Sequence, residues 1–452
     1  MSVSLPTGAL MLPERRRPRV FVGLTEVAGY FGSLEAALRA IGIRADFVDE
    51  SHHAFAYRRP TLLGILAELI RTTMRRSNEA TNRVAGGGWL ALAMPLRAGK
   101  ALARCWLFAS AVSRYDAFIF GGGDSLLPRN ADLPILRWLG KRIVWVFTGS
   151  DHRPSYLDGT AVRRHGTGDT AGLIAEARRA RDRVGRAEKY AHWVVALPAS
   201  AQFHSRPFID ILRIGIPVEF KMPAGDWPSP FRREGVRILH APSDQVPKGT
   251  TAIRRCIEEL RAKGYAIDYL ELTGQPHAEV ILAVSHCDLV IDEVFSDSPM
   301  AVLATEAASL GKPTVLTGYA AAAYREWLPD AATPPTVFEH PSRLAAAVES
   351  LLADADLREE LGKRARDFVR DHWSRTAIAE RFARLITNEI SPHWIISPEE
   401  VRYVHGWGLE ERQIAHTVRE VVAVGGQGAL LLDHNPGARD ALLRLAGVQP
   451  RA

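Results

Sequence analysis

Several positions in this sequence carry side chains suited to a phosphate-bearing ligand. Lys248-Gly249-Thr250 closes a polar loop, His240 to Thr250, that runs from a strand pattern into the helical pattern Ala252 to Lys263. Backbone amides at such a junction favour anions, the lysine adds a point charge, and the glycine lets the backbone come close. The plainer alternative is an exposed loop lysine. Asp292 follows the strand pattern Asp288 to Ile291, where its carboxylate could face a ligand or cap a helix. In the first half, Asp151 follows the strand pattern Lys141 to Phe147, with His152 and Arg153 beside it. It could serve as a general base or as the cap of the next segment.

The elements that must position these residues alternate. Arg19 to Leu24 predicts a strand, Leu34 to Ile41 a helix and Arg44 to Val48 a second strand, with the glycine turn Gly29-Tyr30-Phe31-Gly32-Ser33 after the first. Tyr115 to Phe120, Lys141 to Phe147 and Trp193 to Leu197 read as further buried strands. The linker Pro217 to Pro230 has four prolines and marks a domain boundary, after which the pattern restarts. Strands at Val236 to Leu239, Ile267 to Leu272, Asp288 to Ile291 and Pro313 to Leu316 alternate with helices at Ala252 to Lys263, His277 to Ser285 and Met300 to Leu310. Such alternation predicts two doubly wound parallel sheets, each covered on both faces. Helical sequence continues from Ser342 to Ile390, and no role is assigned to His393 to Ala452.

Charge separates the halves. Residues 1–218 hold 31 Lys and Arg against 18 Asp and Glu, while the remainder holds 26 against 33. Within 51–115 there are ten basic residues and two acids, Glu68 and Glu79, interleaved with Leu62, Leu63, Leu66, Leu69, Ile70, Trp89 and Trp106. Basic amphipathic helices over about 58–110 suit an anionic membrane surface; helices packed on the sheet with a solvated basic face are the alternative. No recognition motif for nucleic acid accompanies the charge. The apolar runs are too short to span a bilayer and the N-terminal one too short for a signal peptide, so a cytoplasmic protein, peripheral at the inner face of the membrane, is expected. Cys105, Cys256 and Cys287 are scattered in apolar surroundings and read as buried thiols.

Three stretches carry a resemblance: VRILHAPSDQVPKGT (236–250), DLVIDEVFSDSPMAVLATEAASLGKPTV (288–315) and YDAFIFGGGDSLLPRNADLPILRWLGKRIVWVFTGSDHR (115–153). Together, in this order and spacing, they resemble bacterial GT-B glycosyltransferases of the large family-4-like group, over roughly residues 19–390. The resemblance implies an α/β GT-B fold: an acceptor domain, 1–218, and a nucleotide-sugar donor domain, 219–390, facing across a cleft, with 391–452 as a helical tail. It implies sugar transfer with retention of configuration from a nucleotide-diphosphate-sugar to a lipid-linked or glycan acceptor, in glycan or cell-surface polysaccharide synthesis. No DxD-like pair follows a strand and the histidines are dispersed, so no metal or other cofactor is expected. Glu306 would bind the donor ribose, Lys248 and Gly249 the diphosphate, and Thr273 and Gly274 the base, with Asp292 facing the cleft. Gly29, Tyr30 and Gly32 would form the acceptor loop.

The sequence departs from the family at three places. The first of two glutamates spaced by seven residues is replaced by Ser298, with Asp297 beside it. The arginine expected six before the lysine is Pro242, next to Ser243, and the histidine expected after Phe147 is Thr148. Either Asp297, Ser298, Ser243 and His240 stand in, or the chain binds a sugar nucleotide or a partner transferase without catalysis. An epimerase on the same architecture finds no supporting residue set.

Overall fold

The computed structural model describes residues 17–50, 90–166, 168–217 and 235–450. The chain divides into two compact units, one of residues 1–52, 57–144 and 375–390, the other of residues 53–56, 145–374 and 391–452. Its strands lie in two sheets, of seven and five strands. In chain order they are β1 (Val20–Leu24), β2 (Ala45–Asp49), β3 (Ala117–Gly121), β4 (Arg142–Val146), β5 (Trp193–Ala196), β6 (Phe208–Asp210), β7 (Val236–His240), β8 (Ile267–Glu271), β9 (Leu289–Ile291), β10 (Thr314–Thr317), β11 (Val337–Glu339) and β12 (Ile395–Ile396). The first sheet has the order β12-β6-β5-β4-β3-β1-β2 and the second β11-β10-β9-β7-β8. The expected class, α/β with two Rossmann-like sheets, is the observed one, the first sheet carrying one antiparallel edge strand, β12.

In the first unit β1 pairs in parallel with both β2 and β3, Val20 standing opposite Ala45 and Ala117. Every residue of β1 and β3 is buried, as a parallel sheet covered on both faces requires. The helix Tyr30–Ala40 places Phe31, Leu34 and Leu38 in the core and packs against the helix Arg375–Thr387. Of the stretch predicted to be amphipathic, 58–89 lies outside the described residues, as does 218–234 of the proline linker. The remainder belongs to the helix Leu90–Arg114, which buries Leu107 and Ala111 and exposes Leu102 and Trp106. Cys105 lies on that exposed side, so the expectation of three buried thiols fails there; Cys256 and Cys287 are buried. Among the described residues no helix is long and apolar enough to cross a membrane.

In the second unit the five-stranded sheet shows why its sequence alternates. Ile238, Leu289, Ile291 and Val315 face one layer with Ile253, Ile257, Leu260, Val348 and Leu351. Leu239 and Val290, one residue along, face the other with Val284 and Ala307. The helices Thr250–Ala262 and Leu344–Ala353 thus cover one face, and His277–His286 and Val302–Ser309 the other. The last sixty residues are built into this unit. β12 pairs antiparallel with β6, the helix Glu411–Gly425 packs on Thr170–Tyr190, and Tyr156 Oη donates to the Leu430 carbonyl at 2.6 Å.

Candidate functional site

In the second sheet the strand order reverses at β7: the chain leaves β7 for β8 on one side and returns to β9 on the other. Open α/β sheets bind ligands outside the carboxyl ends of the strands at such a reversal. The residues at that place are His240, the loop to Gly249, Asp292 and Glu293. Gly249 begins the helix Thr250–Ala262 at φ 73°, and a Cβ there would stand 2.7 Å from Val294 Cβ. Only glycine lets the loop lie this close to the end of β9.

Lys248 is turned inward. Its Nζ lies 2.9 Å from Asp292 Oδ1 and 3.2 Å from Glu293 Oε2. Burial works against the ammonium charge, but the two carboxylates hold its pKa well above the ordinary lysine value. Burial pushes the Asp292 carboxyl up. Burial would raise Glu293 too, yet Lys248, Trp407 and Ser296 keep it below the usual range. Trp407 Nε1 donates to Glu293 Oε2 at 2.8 Å, and Ser296 Oγ to Oε1 at 2.9 Å.

A second ion pair joins this cluster through Trp407. Arg153 pairs with Asp297 and, at 3.4 Å, with Asp158, and its guanidinium carbon lies 5.7 Å from the Trp407 ring centre. Asp297 is 5% exposed, and burial raises its pKa to about 6 despite Arg153. Asp297, expected to stand in for a sugar-contacting glutamate, has its carboxylate committed to Arg153. Ser298 is likewise turned into its own loop, accepting from the Met300 amide at 3.3 Å. Two cations therefore face four buried carboxylates, a local excess of negative charge when all are ionised.

The other expected residues are dispersed. His240 is buried, with Nδ1 2.9 Å from the Ile291 carbonyl and Nε2 2.9 Å from Thr250 Oγ1. Burial lowers its pKa to about 4, so it offers no positive charge in place of the missing arginine. Ser243 is exposed on the loop, and Thr273 and Gly274 form an exposed turn after β8. Glu306, on Val302–Ser309, pairs with His277 at 2.6 Å, a partner the sequence reading did not single out. Asp151 spends its carboxylate on its own turn, accepting the amides of Gly149 at 2.9 Å and Thr148 at 3.2 Å, and burial raises its pKa. These contacts run back to the preceding turn, so the carboxylate does not cap the next segment. In the first unit the glycine loop is capped from within. Glu26 accepts the amides of Val27 and Phe31 at 2.8 and 3.1 Å, and that of Gly32 at 2.9 Å. Tyr30, expected to face an acceptor, is buried edge-on to Phe31, and Gly29 at φ 79° begins the helix. Among the described residues no group of three or more His, Cys, Asp or Glu side chains is placed to hold a metal ion.

No family model and no curated protein matches the chain. Solved structures do. Anabaena HepE in complex with UDP and glucose is similar at 14% identity over 82% of this chain and 99% of that one, with a TM-score of 0.44. The catalytic domain of starch synthase IV from Arabidopsis thaliana, bound to ADP and acarbose, gives 13%, 82%, 99% and 0.43. WaaG, a glycosyltransferase involved in lipopolysaccharide biosynthesis, gives 13%, 81%, 99% and 0.40. At such identities and TM-scores these likenesses decide neither activity nor substrate.

Proposed function

We propose that the chain is a glycosyltransferase that moves a sugar from a nucleotide-diphosphate-sugar to an acceptor, with retention of configuration. The observation that carries this reading is the placing of Lys248, Gly249 and Asp292 at the strand-order reversal of the second sheet. A front-side displacement needs little beyond positioning and stabilisation of the leaving diphosphate. Lys248 and the amides of the loop entering Thr250–Ala262 supply that stabilisation, Glu306 takes the ribose, and Thr273 and Gly274 border the base. Residues 219–390 are then the donor half and 1–218 the acceptor half. The acceptor is a lipid-linked sugar or glycan at an anionic membrane surface, for cell-surface polysaccharide synthesis. Support for the membrane comes from the basic first half and from the exposed Leu102 and Trp106.

The excess of buried carboxylates favours a second reading, in which the chain binds a sugar nucleotide or a partner without transferring sugar. The two separate in a panel of nucleotide-sugars assayed for binding by calorimetry and for hydrolysis or transfer. A live enzyme turns over at least one donor, and Lys248→Ala weakens nucleotide binding by roughly 1.5–3 kcal/mol, the scale of a charge-assisted hydrogen bond. Binding without turnover selects the second reading. No binding of any nucleotide by the wild type refutes the first reading and leaves only the partner-binding form of the second.

A further inference from the structure

The C-terminal segment around Trp407 reaches the lysine loop. Trp407 donates its backbone amide to the Leu157 carbonyl at 3.0 Å and accepts from the Gly159 amide at 2.8 Å, while Gly408 donates to Phe295 at 2.9 Å. Gly408 holds φ 68°, and a Cβ on it would meet Pro247, the neighbour of Lys248, at 2.7 Å. The segment is thereby fixed on both sides, and the indole N–H is delivered to Glu293 Oε2, the same oxygen that lies 3.2 Å from Lys248 Nζ.

We infer that Trp407 is a positioning residue of the donor site: by holding Glu293, it lets Lys248 turn from that carboxylate to an incoming diphosphate. The inference rests on the donor reading above. A buried carboxylate that loses its only partner becomes costly, because the unsatisfied charge stays out of water. Glu293 avoids this. When Lys248 turns from it, Oε2 keeps the indole N–H, while Oε1 shares the Ser296 hydroxyl with the Ser298 carbonyl. Without the indole N–H, Lys248 would be the sole partner of Oε2 among the described residues, and its release would leave that oxygen bare. Trp407 itself need not touch the donor.

Two readouts on the full-length protein test this. One is nucleoside diphosphate affinity, with UDP, ADP, GDP and inorganic pyrophosphate as probes. The other needs no ligand: trace acetylation of lysines by acetic anhydride, with Lys248 quantified by peptide mass spectrometry. Trp407→Phe keeps the ring and removes the N–H. It is expected to slow acetylation of Lys248 and weaken diphosphate binding, each by about tenfold, the factor set by one lost hydrogen bond. Glu293→Gln is expected to speed acetylation, and Trp407→Phe added to it should change neither readout. Thermal melts of each variant show that the fold is kept. The inference is overturned if Trp407→Phe leaves Lys248 acetylation within twofold of wild type. It is overturned equally if the effect is as large in the Glu293→Gln background, because Trp407 would then act by some route other than Glu293. If no probe binds the wild type while acetylation responds as expected, the donor reading falls and control of Lys248 by Trp407 stands.

Discussion

Arg153 and Asp297, 144 positions apart, form an ion pair in which both side chains are almost wholly withdrawn from water. Arg153 also pairs with Asp158, which keeps the Ser150 hydroxyl and the Ala161 amide as further donors, so Asp297 is the carboxylate that depends on the arginine. The asymmetry predicts unequal mutational costs. Arg153→Leu strands Asp297 and takes the counter-charge from Asp158, and is expected to cost about 3–5 kcal/mol of stability. Asp297→Asn leaves Arg153 with Asp158 and should cost less than half as much. Urea unfolding of both variants at pH 7.5 measures the difference; equal costs would mean that Arg153 does not hold the pair together.

A second prediction concerns Asp210, which ends β6 and caps the short helix Ile211–Ile214. Its Oδ1 accepts from the Leu212 amide at 2.9 Å, while Oδ2 accepts no hydrogen bond among the described residues and lies 3.7 Å from Arg213 Nε. Burial raises its pKa from 3.8 to about 7. Between those values the folded state binds the extra proton, so wild type loses stability as pH rises from about 4 to about 7. Asn keeps the cap and cannot ionise. Asp210→Asn should therefore gain roughly 1–3 kcal/mol over wild type at pH 8 and almost nothing at pH 4, read from urea midpoints across that range.

Much of this architecture could be read in the residues. β1, β3 and β9 are unbroken apolar runs bounded by loops, and the helices between them carry apolar residues at helical spacing. β6 and β11, three residues each, are too short for a period to register. The lysine loop was legible because a glycine and a lysine meet at a strand-to-helix junction. What holds the lysine was not, since Asp292 is 44 positions away and pairs with it only through the order of β7 and β9. A signal existed nonetheless: two adjacent acids, Asp292 and Glu293, follow a wholly buried strand. Gly406-Trp407-Gly408 was a similar clue, a tryptophan between two glycines whose positive φ fixes its direction. Without the fold nothing connected it to Leu157 or Glu293.

The third prediction follows from a buried chain of polar groups. Ser200 Oγ lies 3.0 Å from His152 Nε2, His152 Nδ1 lies 3.0 Å from His204 Nε2, and His204 Nδ1 lies 3.2 Å from Glu188 Oε1. Burial drives the His152 pKa well below 6.5. The unfolded chain then protonates first as pH falls, so this part of the stability is present above pH 6.5 and lost below it. His152→Gln, which retains a donor and an acceptor, should be less stable at pH 8 but show a shallower loss between pH 6.5 and 5. The check is the slope of unfolding free energy against pH; parallel slopes would exclude His152 as the titrating group.

A fourth prediction tests the membrane surface. Leu102 and Trp106 lie one helical turn apart on Leu90–Arg114 and are 72% and 49% exposed. Leu102→Glu with Trp106→Glu should abolish co-sedimentation with anionic vesicles at low salt while leaving the melting temperature unchanged. Arg71, Arg75 and Arg76 changed together to Glu should weaken the same binding, since each basic group near an acidic leaflet contributes about 1 kcal/mol. Equal partitioning of the wild type to neutral and anionic vesicles, or none to either, would defeat the membrane claim.

The last prediction sets intrinsic propensity against packing at Gly159. This residue opens the helix Gly159–His165, and its amide donates to the Trp407 carbonyl at 2.8 Å. Alanine is intrinsically the better helix former, by up to about 1 kcal/mol, so propensity alone expects Gly159→Ala to stabilise. Packing expects the reverse. A Cβ at this position would stand 2.4 Å from the Gly408 carbonyl oxygen and 2.8 Å from its carbon, and both are backbone atoms with no rotamer to yield. Either the helix start or the segment carrying Trp407 must move, which breaks the hydrogen bonds that bind Leu157 and Gly159 to it. A contact this short has no cheap relief, so packing wins, and a net loss of roughly 2 kcal/mol is expected, within the range for overpacked sites. Limited proteolysis discriminates where the damage goes: new cleavage between Val401 and Arg412 would show the C-terminal segment lifting from residues 157–159. A Gly159→Ala protein as stable as wild type, with an unchanged cleavage pattern, would mean that the segment is not seated on Gly159 as tightly as the geometry requires.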